Sequence, residues 1–178
     1  MGPGFTERQF RDALGLFPTG VAIVAARVGE TLLGATISSF NSVSLSPPLI
    51  LFSLSRSALS ASLWRSAEAF SITILGEGDR ELSNRFAKAG ADKWQGIDPL
   101  ISDEGIPLLP AGVATFMCRT YAVHDGGDHD IFIGRAFSFS TSAGEPLLFY
   151  RGKYRHLKPP LETPLETPLG LDHVLRGW

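Results

Sequence analysis

The chain contains a single cysteine, Cys118, among 178 residues. An intrachain disulfide is therefore excluded, and a reducing cytoplasm is the expected compartment. Blocks of one charge are missing as well: 16 Lys and Arg stand against 18 Asp and Glu, a net charge of −2. With no basic patch or stripe, a nucleic-acid partner is not expected. Long apolar runs are absent. The early stretch "VAIVAARV" is far too short to cross a bilayer and no basic segment precedes it, so neither membrane insertion nor secretion is expected. No "GxGxxG" follows a strand and no "GxxxxGK[ST]" occurs, which removes the two commonest nucleotide loops. The absence of "GxSxG" argues against a serine hydrolase.

What is present reads as one domain, long enough to bury roughly two-thirds of its unfolded surface. "FTERQFRDALGLF" predicts an amphipathic helix, with Thr6 and Gln9 spaced as a capping box and Phe10, Ala13, Leu14 and Phe17 at helical intervals. "VAIVAARV" and "TLLGATISSF", joined by Gly29-Glu30, predict a hairpin. Leu49 to Leu54 is a third strand, with Pro47 and Pro48 at its entrance because they donate no ladder hydrogen bond. "ALSASLWRS" and "DRELSNRFAKA" read as helices on either side of the strand "AFSITIL". Long strands around "ATFMCRTYAVH" and "IFIGRAFSFSTS" flank "DGGDHD", and in the second Phe137 and Phe139 alternate with Ser138 and Ser140 as in a half-buried strand. "EPLLFYRGKY" supplies a last strand and turn.

Six or seven strands and two or three helices, without strand–helix–strand alternation, point to a mainly β fold: an antiparallel barrel with helices outside it. The domain is expected over residues 1–157. Residues 158–178, in which "LETP" repeats among prolines, are expected to form an extended tail. Cys118 reads as a small core residue, and Trp64 and Trp94 as core or interface.

The unusual stretch is "TISSFNSVSLSPPLILFSL", residues 36–54, where a hydroxyl-rich segment runs directly into an apolar strand. Strict alternation would put Thr36, Ser38, Phe40, Ser42 and Ser44 on one face. Such a face is either an ordinary surface strand or a neutral cradle of donors for a phosphate. Asp125, Asp128, His129 and Asp130 crowd a loop with His124 near, but no Cys or second spaced His pair completes a tetrahedral metal set, and no metal is expected. His129 alone reads as a turn residue, a proton donor or a ligand contact.

Four segments change the balance. "FPTGV" (17–21), "SSFNSVSLSPPLILFSL" (38–54), "GDHDIFIGRA" (127–136) and "PLLFYRGKY" (146–154) occur in this order. The chain so resembles the flavin reductase family, the small reductase components of two-component flavin-dependent monooxygenases, over roughly residues 8–157. The resemblance implies a homodimeric, antiparallel Greek-key split barrel of the FMN-binding type. It implies hydride transfer from NADH or NADPH to FMN or FAD and a partner monooxygenase that receives the reduced flavin. Carried over, Pro18 and Thr19 would lie against the flavin. Thr36, Ser38, Ser39, Phe40 and Asn41 would line its ring and ribityl chain, and Ser46 and Pro47 would shape the pocket wall. Ser53 and Ser57, with Arg56 between them, would bracket the phosphate, and Arg85 and Phe86 would add a contact. His129 would meet the nicotinamide, and Tyr154 would approach the flavin from the C-terminal side. Two departures stand out: Asp130 where the family pattern has threonine, and Thr73 where asparagine is frequent. The competing readings are a flavin-binding carrier or redox sensor without turnover, and an FMN-dependent oxidase on a similar barrel.

Overall fold

The computed structural model describes residues 4–90 and 92–157. The segment read as a tail, 158–178, lies outside the described residues. Helix α1 (Glu7–Leu14) begins where the capping box required: the Thr6 hydroxyl accepts from the Gln9 N–H at 3.2 Å, and the Gln9 side chain accepts from the Thr6 N–H at 2.8 Å. Its apolar stripe, however, stays largely uncovered among the described residues: Phe10 stacks on Phe5 at 5.4 Å, yet Phe10 and Leu14 are 52% and 59% exposed. There follow β1 (Thr19–Gly20), β2 (Ala22–Val28), β3 (Thr31–Ile37), β4 (Asn41–Leu45) and β5 (Pro48–Ser55). Then come α2 (Ala61–Ser66), β6 (Ala69–Ile74), α3 (Arg80–Ala87), β7 (Leu100–Ile101) and β8 (Pro107–Leu108). The long strands β9 (Ala114–Gly126) and β10 (His129–Thr141) precede the short β11 (Leu148–Tyr150) and β12 (Lys153–Arg155).

The fold is mainly β, and all its ladders are antiparallel. Seven strands form one sheet in the order β3-β2-β6-β9-β10-β5-β4. Its two edge strands are joined in sequence by only three residues, Ser38–Phe40. Seven strands laid flat would separate those edges by about 29 Å, at roughly 4.8 Å per strand. Ile37 to Asn41 reach at most about 14 Å. The sheet must therefore curl until its edges face one another across this link.

Both faces of β2 are covered, which explains its unbroken apolar run: residues 21–26 are all buried. One core gathers Val24, Phe52, Trp64, Phe70, Ile72 and Phe132, with the Phe52 and Phe132 rings stacked at 5.0 Å and Phe70 edge-on to Phe52 at 5.1 Å. A second holds Val21, Ile23, Leu75, Phe86, Leu109 and Leu147. Cys118 is fully buried in the first, and burial pushes its thiol up to about 12, as befits a core residue rather than a nucleophile.

Several expectations are corrected. β4 is a strand separate from β3, where the expected alternation runs straight through from Thr36 to Ser44, and β5 starts at Pro48, one position early, because that proline sits at the hairpin mouth opposite Leu45. Strict alternation from Thr36 to Ser44 fails: the chain leaves strand geometry at Ser38–Phe40, and the register shifts between Ser42 and Ser44. In β10 the even-numbered residues face inward from Asp130 to Ser138, so Phe137 and Phe139 lie on the outer face, 42% and 69% exposed, and the alternating serines point the other way. "DGGDHD" is mostly strand, with only Gly127-Asp128 as the turn.

Candidate functional site

Two of the hydroxyls around the three-residue link are committed to main-chain groups. In the β4–β5 ladder Asn41 faces Leu51, and the same register carried two residues further sets Ser39 opposite Ser53. β4 has ended there, so the Ser39 side chain takes its place. Its hydroxyl accepts the Ser53 N–H at 3.0 Å and donates to the Ser53 carbonyl at 3.2 Å. Thr36 donates to the Ser83 carbonyl at 2.7 Å and ties β3 to α3. Phe40 stacks on Phe116 at 5.9 Å. Ser38, by contrast, is exposed.

Ser38 faces a cleft of about 800 Å³ that it shares with Thr19, Phe17, Phe149, Arg11 and Arg151. Thr19 is brought there by pairing with Phe149 on β11, which pairs in turn with Tyr154 on β12. The Tyr154 hydroxyl donates to Asn84 Oδ1 at 2.8 Å and so accepts from the buried Ser83 hydroxyl at 2.9 Å; Arg80 lies over its ring at 5.3 Å. Thr36, Ser83 and Tyr154 thus form one network beneath the sheet edge. Pro18 is exposed beside Thr19.

The second gathering point is where β5 ends and β10 begins. His129 lies opposite Ser55 and Gly126, and its Nδ1 is 2.7 Å from Asp128 Oδ1. Ser53 pairs with Ile131, and the Ser55 and Ser57 hydroxyls are 2.8 Å apart. The Arg56 main-chain N–H donates to the Asp128 carbonyl at 3.0 Å. Its guanidinium reaches Asp130 through Nε at 2.8 Å and Asp125 through Nη2 at 2.7 Å. Asp130, 4% exposed in its side chain, is also gripped by Arg65 of α2, with Nε and Nη2 both at 2.6 Å. Arg65, then Arg56, hold the Asp130 carboxyl below the usual carboxylate range despite its burial. The Gly127 N–H, and after it Arg56, does the same for Asp125, and the bond to His129 does so for Asp128.

The structure therefore assembles Thr19, Ser38, Thr36 and Tyr154 on one side of the link and Ser39, Ser53, Arg56, Ser57 and His129 on the other. His129 is not among the residues that line the cleft. Of the expected contacts, Phe86, Arg85, Ser46, Pro47 and Asn41 do not join either group. Phe86 is fully buried, packed edge-on against Trp94 at 4.9 Å and over Gly34, so it has no surface to offer. Arg85 donates instead to the Gln95 carbonyl at 2.8 Å. Ser46 and Pro47 form the turn at the opposite end of the β4–β5 hairpin, roughly 20 Å along β5 from Ser53 at a strand rise of about 3.3 Å. Asn41 is exposed at the start of β4. Sequence reasoning missed Ser83, Asn84 and Arg65, and it weighed Asp125 only as a metal ligand, not as the partner of Arg56. The first two adjoin Arg85 in "SNRF" and were within reach, but nothing local marks Arg65 as the partner of a residue 65 positions away.

Residues 14–158 match the flavin reductase like domain. The chain is 40% identical over 151 residues to the FMN reductase (NADH) SmoA of Agrobacterium fabrum, covering 85% of this chain and 86% of that protein. It is 36% identical to HsaB of Mycobacterium tuberculosis, the reductase subunit of a flavin-dependent monooxygenase, covering 92% and 89%. Among solved structures it superposes with a TM-score of 0.81 on the NADH:FAD oxidoreductase SgcE6 of Streptomyces globisporus, in complex with NAD and FAD fragments. That pair is 33% identical, and the match covers 86% of this chain and 94% of the other.

Proposed function

The chain belongs to the flavin reductase like domain family, and from that premise we propose that it is an NADH-dependent flavin reductase that supplies reduced FMN or FAD to a flavin-dependent monooxygenase. The observation that carries the reading is the juxtaposition at the curled sheet's link. There an 800 Å³ cleft with neutral donors at Thr19 and Ser38 lies one residue from the ladder that leads to Arg56 and His129. The cleft falls in the size range of small-molecule sites, about 300–1,000 Å³. Its donor set suits a planar, hydrogen-bonding ring: hydroxyls with Arg11 and Arg151, against the single carboxylate of Asp12, leave a lining that on balance favours negative charge growing as hydride arrives.

The flavin and the nicotinamide supply the redox chemistry when bound. The protein binds and orients. Thr19, Ser38 and Tyr154 hold the ring side, with Tyr154 fixed by Ser83 and Asn84. Arg56, Ser53 and Ser57 stand at the phosphate end, and His129 contacts the nicotinamide. Holding two planar partners face to face turns an encounter into an effectively unimolecular step.

The fold is read as an antiparallel Greek-key split barrel, which the curl across Ser38–Phe40 supports. A homodimer is favoured by apolar surface that the described residues leave uncovered: α1, Phe137, Phe139, Tyr121 and Leu45, the last 71% exposed. The cytoplasm is the proposed location, consistent with the single thiol. NADH oxidation in air with added FMN or FAD tests the activity. Turnover that rises with free flavin is expected; flavin binding without NADH consumption would reduce the protein to a carrier.

A further inference from the structure

Arg56 meets two aspartates of unlike standing. Its Nε is bonded to Asp130, whose side chain is 4% exposed and doubly held by Arg65. Its Nη2 is bonded to Asp125, whose side chain is 74% exposed near the tip of the β9–β10 hairpin. A guanidinium presents its N–H groups as a planar fork that receives carboxylate and phosphate oxygens alike. One edge of this fork is locked by a buried partner, and the other is covered by a partner in water, where an ion pair contributes little.

The two oxygens of Asp125 divide their work. Oδ1 accepts the Gly127 N–H at 2.9 Å and holds the turn, while Oδ2 alone faces Arg56 at 2.7 Å. The carboxylate can release the arginine without releasing the hairpin. Beside the same arginine stand the paired hydroxyls of Ser55 and Ser57, further donors for an oxyanion.

We propose that Asp125 is an internal stand-in for a ligand phosphate. It occupies the Nη edge of Arg56 in this structure and is displaced when a phosphate ester binds, while Asp130 and Arg65 keep the guanidinium aimed. The inference rests on the reading that Arg56 meets a nucleotide phosphate and adds the group that competes for it. The flavin and the dinucleotide both carry phosphate esters, and both present the same oxygens to the fork. Asp125 thereby tunes affinity downward, which suits a flavin that must leave after reduction.

The test measures dissociation constants for FMN and for riboflavin, which lacks the phosphate, together with the KM for NADH. The full chain carries Asp125→Asn, Asp125→Ser or Arg56→Lys. Asn and Ser both keep an acceptor for the Gly127 N–H while removing the charge, and thermal unfolding checks that each variant is folded. Asp125→Asn is expected to tighten FMN by about twofold to fivefold, the weight of an exposed ion pair, with riboflavin unchanged; Arg56→Lys is expected to weaken FMN alone. The same tightening in the NADH KM in place of FMN assigns the phosphate to the dinucleotide and supports the proposal equally. If Arg56→Lys weakens phosphate-bearing ligands while neither Asp125 variant tightens them, displacement is refuted and the arginine's role survives. If Arg56→Lys changes none of the three ligands, the placement of the phosphate fails and the proposal fails with it.

Discussion

Removing one oxygen atom at Ser39 separates a structural role from a ligand role. In Ser39→Ala the N–H and carbonyl of Ser53 both lose their partner on the β4 side. The lost partner is a side chain standing where the next ladder residue would be, so no neighbouring strand can move in to replace it. Two neutral hydrogen bonds at about 0.5–1.5 kcal/mol each give a destabilisation of about 1–3 kcal/mol. For a chain of this size each kcal/mol lowers Tm by about 2–4 °C, so a fall on the order of 5 °C is expected. Calorimetry or circular dichroism at fixed protein concentration reads it, and flavin fluorescence quenching on the same samples reads affinity. Ser57→Ala is the counterpart. Its hydroxyl is exposed and bonded only to Ser55, so Tm is expected to stay within a degree or so while FMN affinity falls. A Ser39→Ala protein with unchanged Tm and abolished flavin binding would show that the hydroxyl serves the ligand and not the ladder, and would overturn the account of the link.

Gly134→Ala is expected to destabilise by about 1–3 kcal/mol, because a Cβ there overlaps the Phe70 ring in the fully packed core; a urea midpoint equal to wild type would contradict this. His129→Ala is expected to raise the KM for NADH with flavin affinity within about a few-fold, the signature of lost substrate binding; unchanged NADH kinetics would remove it from the site. Asp125, Asp128 and Asp130 all have folded-state values depressed below the ordinary 3.8. Their contribution is therefore fully present above that value and lost as pH falls through the depressed ones. Amide exchange in the β9–β10 hairpin is expected to accelerate below about pH 4 ahead of the Val24–Phe70 region; uniform protection on acidification would refute it.

What could be read in the sequence was whatever local chemistry decides. The Thr6 capping box, the Gly29-Glu30 hairpin and the two long strands are fixed by neighbours in the chain, and they appear where expected. The link at Ser38–Phe40 was misread because alternation describes a strand only while it remains one. Nothing in "SSF" says that the chain turns to bridge two sheet edges. Phe86 was placed at the ligand because its motif was matched without its surroundings. Its burial depends on Gly34, which sits 52 positions earlier and lacks the side chain that would exclude the ring. The Arg56–Asp130–Arg65 cluster unites the turn after β5 with α2 and β10, and no window of sequence spans all three. Asp130 did register as a departure from the family pattern, which is how a tertiary contact shows itself in one dimension.

The lone sulfhydryl has a practical consequence. Cys118 sits wholly enclosed between its neighbours Phe70 and Ala136 on adjoining strands, so its thiolate is not offered to peroxide formed when reduced flavin meets dioxygen. Alkylating reagents should leave the native protein untouched and react only after unfolding. A cysteine introduced at an outlying position such as Leu59, 84% exposed, would then be a unique chemical handle for attaching a dye or a tether.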